Sequence, residues 1–223
     1  MVERLNAWMR EDPFRLPRAF FIGASWLLLL SLLFPYWRMT LQAPQYPGGL
    51  RVDVYVTHLA GDVNEVDNLN HYIGMKKLHE AAQVERFLAP LAIGAAALLG
   101  EALAFTRHRW AAVLALPAML FPIIFLADMY YWLYRYGHDL DPNAPLRLPP
   151  FTPPLIGVGV VGQFRTVAEL QVGFWMALAA SLLIALGLHF RRVIRTALER
   201  HQPLRIGPLM LVPDCLLYTS PSP

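Results

Sequence analysis

Four separate blocks of apolar residues, each about as long as a bilayer core is thick, constrain this chain more than any other feature. They cover about residues 19–36, 87–105, 110–134 and 172–190. A bilayer core of about 30 Å needs about 20 apolar residues when it is crossed by a helix. The first and fourth blocks are apolar all round, unlike the amphipathic helices of soluble proteins. The sequence therefore predicts an all-α membrane protein with four transmembrane helices.

Charged residues are sparse and flank the apolar blocks. They make up 16% of the chain, against roughly 25% in a soluble domain. The net charge of +3 comes from basic residues beside the blocks, so membrane topology explains it and nucleic acid is not expected as a partner. The single cysteine, Cys215, excludes an intrachain disulfide, a thiolate zinc site and a c-type haem motif.

The distribution of basic residues among the connecting segments predicts an orientation. With the N-terminus inside, the inner segments 1–18, 106–109 and 191–223 hold 11 basic and 5 acidic residues. The outer segments, 37–86 and 135–171, hold 8 basic and 9 acidic residues. We therefore expect a multi-pass protein of the bacterial inner (cytoplasmic) membrane, with both termini cytoplasmic and two extended periplasmic loops. The short inner hairpin predicts that the second and third spans are antiparallel neighbours.

The first outer loop contains two local patterns. Alternating and β-branched residues between Leu50 and Leu59 predict a short strand. A helical, amphipathic stretch begins near Asn68 and leads toward the second span. The first loop therefore has room for some structure of its own.

Three residues of that helical stretch are the strongest candidates for metal ligands in the chain. His71, Met75 and His79 are spaced at i, i+4 and i+8, so on one helix they lie close to a common face. Imidazole and thioether ligands suit copper, and the thioether favours Cu(I). Further candidate ligands on the outer side are His58, His138 and Met39.

A second interpretation of these residues stays open. Met75 then packs at the membrane surface, and the histidines cap helices, form hydrogen bonds or face solvent without binding any metal. No stereotyped metal-binding motif has this spacing, so the pattern alone does not decide between the two interpretations.

The second outer loop is rich in proline. Four prolines lie between residues 146 and 154, and because proline fixes φ and lacks an N–H, they predict an extended coil. The following residues, 155–162, are apolar and glycine-spaced. They are too short to span a bilayer, so we expect a re-entrant or surface-lying segment. They lack the context of a nucleotide-binding loop.

Two carboxylates fall inside predicted spans. Glu101 lies near the inner end of the second span, and Asp128 lies near the outer end of the third. Intramembrane carboxylates are costly, so each is a functional candidate. The alternatives are an ion pair of Glu101 with Arg107 or Arg109, and an Asp128 side chain that reaches the outer surface. No motif of a hydrolase accompanies them.

Four outer strings carry a resemblance to a known family. They are APQYPGGL at 43–50, LNHYIGM at 69–75, YGHDLDPNAP at 136–145 and PPLIG at 153–157. They resemble small polytopic membrane proteins encoded in bacterial nitrous oxide reductase gene clusters, beside copper-chaperone genes. The resemblance covers about residues 35–165 and implies a role in nitrous oxide respiration. It supplies no catalytic residues.

Three functions follow from these observations as alternatives. The leading one is a non-enzymatic accessory membrane protein for nitrous oxide respiration, a step of denitrification, that binds or relays copper during reductase maturation or supports electron transfer. The second is a structural or docking subunit of a respiratory complex without metal. The third is a quinol- or haem-linked oxidoreductase subunit, which would need histidines facing each other within the bilayer.

The C-terminal residues 214–223 have a different character from the rest. Their sequence, DCLLYTSPSP, resembles translated sequencing-adaptor read-through. We therefore expect the membrane domain to occupy residues 1–213 and exclude the tail, with Cys215, from the functional reasoning.

Overall fold

The fold was determined as a computed structural model, which describes residues 12–43, 45–106, 109–146, 148–161, 164–200, 204–206 and 209–211. The tail that was set aside at residues 214–223 lies outside these ranges. So does Arg107, one predicted partner of Glu101.

Five α-helices are found in the described residues. They are α1 (Arg15–Ser31), α2 (Val63–Ile73), α3 (Gln83–Phe105), α4 (Leu116–His138) and α5 (Val172–Glu199). Short 3-10 helices lie at Leu78–Glu80 and Arg109–Ala115. Five strands form one antiparallel sheet: β1 (Trp37–Ala43), β2 (Tyr46–Val54), β3 (Leu59–Gly61), β4 (Gly157–Val161) and β5 (Phe164–Leu170). A separate hairpin pairs β6 (Leu204–Ile206) with β7 (Leu209–Leu211).

The prediction of an all-α fold is wrong, because both outer loops fold into one sheet. The strand order is β3-β2-β1-β5-β4, so β1 of the first loop pairs with β5 of the second. Trp37 is opposite Leu170 at one end of this pair, and Gln42 is opposite Arg165 at the other. Pairing across two segments separated by more than a hundred residues cannot be read from either segment alone.

The apolar segment at 155–162 is also different from the prediction. It is not re-entrant, since Gly157–Val161 is the edge strand β4 and pairs with β5. Its glycines admit close neighbours: a Cβ added at Gly159 would lie 2.5 Å from Cδ of Pro154. Pro154, the last proline of the run, therefore packs against this edge strand.

Three helices are long and apolar enough to cross a membrane, within the described residues. They are Gln83–Phe105, Ala112–His138 and Val172–Glu199, and they correspond to the second, third and fourth predicted spans. The first predicted span differs, because α1 has 17 residues and ends at Ser31. The chain turns at Pro35 and enters the sheet, where the N–H of Tyr36 donates to the carbonyl of Val54 at 2.8 Å.

Tyr36 anchors the corner between α1 and β1. Its ring is fully buried, and its hydroxyl lies 2.6 Å from Oγ of Ser31. Burial raises the pKa of this phenol to about 12. A Cβ at Gly173, at the start of α5, would lie 2.5 Å from the Tyr36 ring, so the two chain turns are packed together at the base of the sheet.

Small residues let α1 pack closely against α3 and α5. Oγ of Ser25 donates to the carbonyl of Ala97 at 2.9 Å, and a Cβ at Gly100 would lie 2.7 Å from the same Oγ. A Cβ at Gly187 would lie 2.7 Å from the ring of Phe21. Close approach through small residues, with hydroxyls bonding across helices, is typical of membrane helix packing.

The second and third predicted spans run side by side but are poorly packed against each other. In the described residues α4 packs mainly on α5 and makes few contacts with α3. One of its contacts with α5 is a hydrogen bond from Oγ of Ser181 to the carbonyl of Ala118, at 3.2 Å. A cleft therefore separates α3 from α4, and the sheet and α2 cover one end of it.

Candidate functional site

The two outer loops are joined by main-chain hydrogen bonds beyond the sheet. The N–H of Asp141 donates to the carbonyl of Gly74 at 2.8 Å, and the N–H of Leu146 donates to the carbonyl of Tyr72 at 3.0 Å. Gly74 has a φ of 80°, and a Cβ there would lie 2.9 Å from Cβ of Ala144. Glycine is needed at this position both for its backbone conformation and for the close approach.

A second set of contacts ties the end of α4 to both loops. The hydroxyl of Tyr136 donates to the carbonyl of Lys77 at 2.8 Å, and the N–H of Phe151 donates to the carbonyl of Gly137 at 3.0 Å. The indole of Trp37 donates to the carbonyl of Leu155 at 2.6 Å. Three of the sequence segments that carry the family resemblance are therefore joined in one place. Together with the sheet and α2, these joined loop segments cover one end of the cleft between α3 and α4, and we call this part of the structure the cap.

The predicted helical face that unites His71, Met75 and His79 does not exist. The helix α2 ends at Ile73, because Gly74 takes a left-handed conformation at its C-terminus. Met75 follows in irregular structure, and His79 lies in the separate 3-10 helix Leu78–Glu80. A glycine just after the last helical residue is the usual end signal of a helix, and the i, i+4, i+8 spacing does not take this signal into account.

Each candidate histidine has its own local environment. Nδ1 of His79 lies 2.6 Å from a carboxylate oxygen of Asp67. His138 stacks on Tyr134 with ring centroids 4.0 Å apart, and its Nδ1 lies 2.9 Å from the carbonyl of Tyr134. His138 therefore contacts a residue four positions earlier in the same helix and not another candidate ligand.

The remaining two histidines are similar. His58 stacks on Tyr55 at 4.3 Å, and its Nδ1 lies 2.8 Å from Oγ1 of Thr57. His71 is exposed and packs edge-on against Tyr72. Among the described residues, no three His, Cys, Asp or Glu side chains are grouped so that they could hold a metal ion. The described structure therefore does not group the predicted histidines into one set of ligands.

A cavity of about 520 Å³ lies between the cap and the helices. Its walls come from β1, β2, α2, α3 and α4, and include two of the candidate ligands, Met39 and Met75. On α3 half of the lining residues are alanines, and on α4 the lining consists largely of bulky side chains. The volume is within the range of about 300–1,000 Å³ that is usual for ligand sites.

The polar groups of the cavity are concentrated at the end under the sheet. Glu85 and Arg86 lie in the first turn of α3, and Asp128 and Trp132 lie in the later turns of α4; all four line the cavity, as does Asn70 of α2. At the opposite end the lining residues are apolar. They include Ala92, Ala96, Pro117 and Phe121.

Two buried N–H donors of this polar end have no hydrogen-bond partner among the described residues. They are Nδ2 of Asn70 and Nε1 of Trp132, and the Asp128 carboxylate lies close to the second without meeting hydrogen-bond geometry. The Asn70 residue is only 6% exposed. Because a buried donor without a partner costs free energy, such groups mark places where a ligand or water supplies an acceptor.

Charges at the polar end are unevenly placed. The carboxylate of Asp128 is near enough to that of Glu85 for the two to repel. Arg86 is directed at the main chain, and donates to the carbonyls of His79 at 2.7 Å and Ala81 at 2.5 Å. The cavity therefore presents carboxylates and uncharged N–H donors to whatever occupies it.

The cavity opens sideways, between α3 and α4, onto the exposed surface of the helix bundle. Leu88 of α3 and Ile124 of α4 line it and are also about half exposed. Exposed apolar side chains on both helices, such as Phe87 and Ile123, continue this surface. In a bilayer, hydrocarbon chains would contact both rims of the cleft.

The two predicted intramembrane carboxylates have different surroundings. Asp128 lies at the polar end of the cavity, which the sequence analysis did not foresee. Glu101 is partly buried on α3 and is not a lining residue of that cavity. Its predicted pairing with Arg107 or Arg109 concerns side chains outside the described part of the structure.

Sequence reasoning missed the cavity because it is formed by surfaces that are distant in the chain. The sequence does contain one related pattern, because the alanines at 89, 92 and 96 share a face of α3. In the structure, α4 presents aromatic residues to that face. The pattern nevertheless does not predict a cavity. Small residues usually indicate close helix packing, so this pattern alone would have predicted contact between α3 and α4.

Comparisons of this chain with protein-family models, with curated proteins and with solved structures gave no match.

Proposed function

We propose that this chain is a non-enzymatic accessory protein of a bacterial cytoplasmic membrane, and that it holds an amphiphilic molecule in the cavity between α3, α4 and the sheet. The observation that carries this proposal is the polarity gradient along the cavity. Carboxylates and N–H donors are found under the cap, and alanine and aromatic side chains line the rest. An amphiphile matches this gradient with its headgroup under the cap and its tail toward the bilayer centre.

The three apolar helices support a membrane setting for this function. A cleft whose rims are exposed on Leu88 and Ile124 gives a lipid-soluble molecule lateral access. Placing the cap on the periplasmic side follows from the excess of basic residues in the inner segments. The resemblance of the outer strings to proteins of nitrous oxide reductase gene clusters supports a role in nitrous oxide respiration.

The test fills the cavity at one position and leaves a matched position unchanged. Ala92 and Ala95 are both exposed alanines of α3, and of the two only Ala92 lines the cavity. We expect Ala92→Trp to lose the bound molecule and Ala95→Trp to keep it. The measurement is native mass spectrometry of the full chain released from nanodiscs made of native lipid, which records adduct mass and occupancy.

Two results would overturn the cavity proposal. One is wild-type protein that carries no adduct beyond the lipid seen on a membrane helix control. The other is equal occupancy in Ala92→Trp and Ala95→Trp. Thermal midpoints of both variants near that of the wild type would show that the comparison concerns binding and not folding.

A second candidate function is suggested by the position of two thioethers. Met39 and Met75 were predicted as copper ligands, and both line the same cavity. Thioether ligands favour Cu(I), so the cavity is a candidate place for that ion even though the histidines do not converge on it. When bound, copper would be available for transfer to a partner.

This candidate is tested by copper content under reducing conditions. Met39→Leu/Met75→Leu should lower the Cu(I) bound per chain, and the control Met119→Leu/Met176→Leu, which changes methionines outside this lining, should not. Equal copper in the two double variants, or copper-free wild type after loading with Cu(I), would contradict it.

A further inference from the structure

We propose that the molecule held in the cavity is a quinone or quinol with an isoprenoid tail. This inference rests on the proposed function and names the chemical class of its ligand. It depends on the kinds of polar group that meet under the cap of a largely apolar cavity: two buried N–H donors that make no hydrogen bond of good geometry, and two carboxylates.

The N–H donors indicate a headgroup with uncharged acceptors. Asn70 is more than nine-tenths buried, lines the cavity and has an Nδ2 without a partner among the described residues. The indole N–H of Trp132, on a different wall, is a buried atom that also makes no hydrogen bond of good geometry, and the Asp128 carboxylate lies near it. A quinone carries two carbonyl oxygens on opposite edges of one ring, so it can accept hydrogen bonds from donors on two walls at once.

The carboxylates indicate the reduced form of the same headgroup. A quinol hydroxyl donates a hydrogen bond, and the Asp128 carboxylate at this end of the cavity can accept it. The nearby Glu85 carboxylate adds negative charge at this end of the cavity, which disfavours an anionic headgroup.

A phospholipid headgroup fits these groups less well. A phosphate is usually bound by guanidinium or ammonium groups. Arg86 lines this end, but its guanidinium donates to the carbonyls of His79 and Ala81. The carboxylates would instead repel a phosphate. Phospholipid is therefore the alternative occupant that the experiment has to separate from quinone.

The apolar part of the cavity suits an isoprenoid chain. Ala89, Ala92 and Ala96 form a low wall on α3, and Phe121 and Ile124 face it from α4. A branched, flat-sided chain can lie between them and leave through the cleft into the bilayer. Binding alone is proposed, so no electron transfer partner is required.

The experiment uses the full chain in nanodiscs and decylubiquinone as the probe. Quinone is added at increasing mole fraction in the lipid, and the shift in thermal midpoint and the quinone retained after gel filtration are recorded. Trp132→Phe keeps an aromatic ring but removes the N–H. Its matched control is Trp175→Phe, an exposed tryptophan of α5 outside the cavity.

We expect half-saturation of Trp132→Phe to need about fivefold to tenfold more quinone than wild type, which corresponds to one net hydrogen bond. Trp175→Phe should match wild type. With decylubiquinol under reducing conditions, Asp128→Asn should weaken quinol binding more than quinone binding. A residue that only supported the fold would change both forms equally.

Equal half-saturation for Trp132→Phe and Trp175→Phe would overturn the quinone assignment. So would an Asp128→Asn variant with an unchanged ratio of quinol to quinone affinity. If wild type binds no decylubiquinone but retains phospholipid that Ala92→Trp loses, the quinone class is wrong and the cavity function stands. If Ala92→Trp and Ala95→Trp retain equal amounts of every adduct, the proposed function itself fails.

Discussion

The two sides of α3 differ in how they meet their neighbours. Toward α1 the helix is closed: Ser25 bonds to the carbonyl of Ala97, and Gly100 leaves no room for a Cβ. Toward α4 it is open, and Ala92 and Ala96 face a cavity of about 520 Å³. Both sides carry small residues, so side-chain size on one helix does not decide whether the helices touch.

What decides the outcome is the surface that the partner helix presents. On the closed side α1 offers Ser25 and Ala24, small residues that let the backbones approach. On the open side α4 offers Phe121, Phe125 and Trp132, whose bulk holds it away. The closed side provides packing energy, and the open side leaves a cavity.

The largest expected effect comes from breaking the closed side. Gly100→Leu should lower the free energy of unfolding by about 1–3 kcal/mol, since its side chain would collide with Ser25 and force α1 away. Gly94→Leu is the matched control on the same helix, where an added Cβ meets no atom of the described chain within 4 Å. The measurement is reversible unfolding in detergent by circular dichroism.

Equal losses of stability in Gly100→Leu and Gly94→Leu would contradict the difference between the two sides of α3. The Gly94 variant should stay within about 0.5 kcal/mol of wild type, as surface substitutions usually do.

A smaller effect on stability is expected from weakening the contacts between the two outer loops in the cap, above the open side of α3. Gly74→Ala forces a left-handed backbone on a residue with a Cβ, at roughly 1–2 kcal/mol, and crowds Ala144 and the carbonyl of Asp141. Gly157→Ala has a similar φ of 97° but no neighbour of the new Cβ within 4 Å among described residues. The difference in their thermal midpoints isolates the crowding, and a Gly157 variant as unstable as the Gly74 variant would argue against the interlocked loops.

The smallest effect on stability is expected from an exposed ion pair at the edge of the cap. Nζ of Lys76 lies 2.5 Å from a carboxylate oxygen of Asp139, and its hydrogen bond and charge lower the pKa of that carboxyl. A lowered folded-state pKa stabilises the fold above the unfolded value of about 3.9. This contribution is lost as the pH falls through the folded-state pKa.

Asp139→Asn should therefore lower the thermal midpoint slightly at pH 7, and the difference from wild type should shrink in high salt and at pH 3. Glu169→Gln, which removes one exposed charge from β5, is the control. A drop as large as that of Gly74→Ala, or one that persists in high salt, would contradict a screened surface pair.

Sequence reasoning was successful where a signal is local. Of the four spans predicted from apolar length, three are helices that can cross a membrane, and the alternation of Leu50, Val52 and Val54 does form a strand, β2. The first predicted span was too long, because Pro35 and Tyr36 turn the chain into the sheet. Hydropathy does not separate the end of a helix from a buried corner that is equally apolar.

The site was less predictable because it depends on distant pairings. The spacing of His71, Met75 and His79 predicts a common face only if one helix continues past Gly74, and the helix ends there. The cavity needs β1, α2, α3 and α4 together, and the pairing of β1 with β5 helps to bring both outer loops over the same cleft. Asp128 was chosen from the cost of a charge in a membrane, a local argument that also found a residue of the cavity.

The difference between the two sides of α3 is tested most directly at neighbouring alanines. Ala96 and Ala97 are 4% and 3% exposed, but only Ala96 lines the cavity. With Cys215 replaced by serine, Ala96→Cys and Ala97→Cys are treated in membranes with N-ethylmaleimide, which enters the bilayer. We predict that the Ala96→Cys thiol reacts faster, and more slowly again when the cavity is occupied. Equal labelling rates at the two positions would contradict an open side of α3.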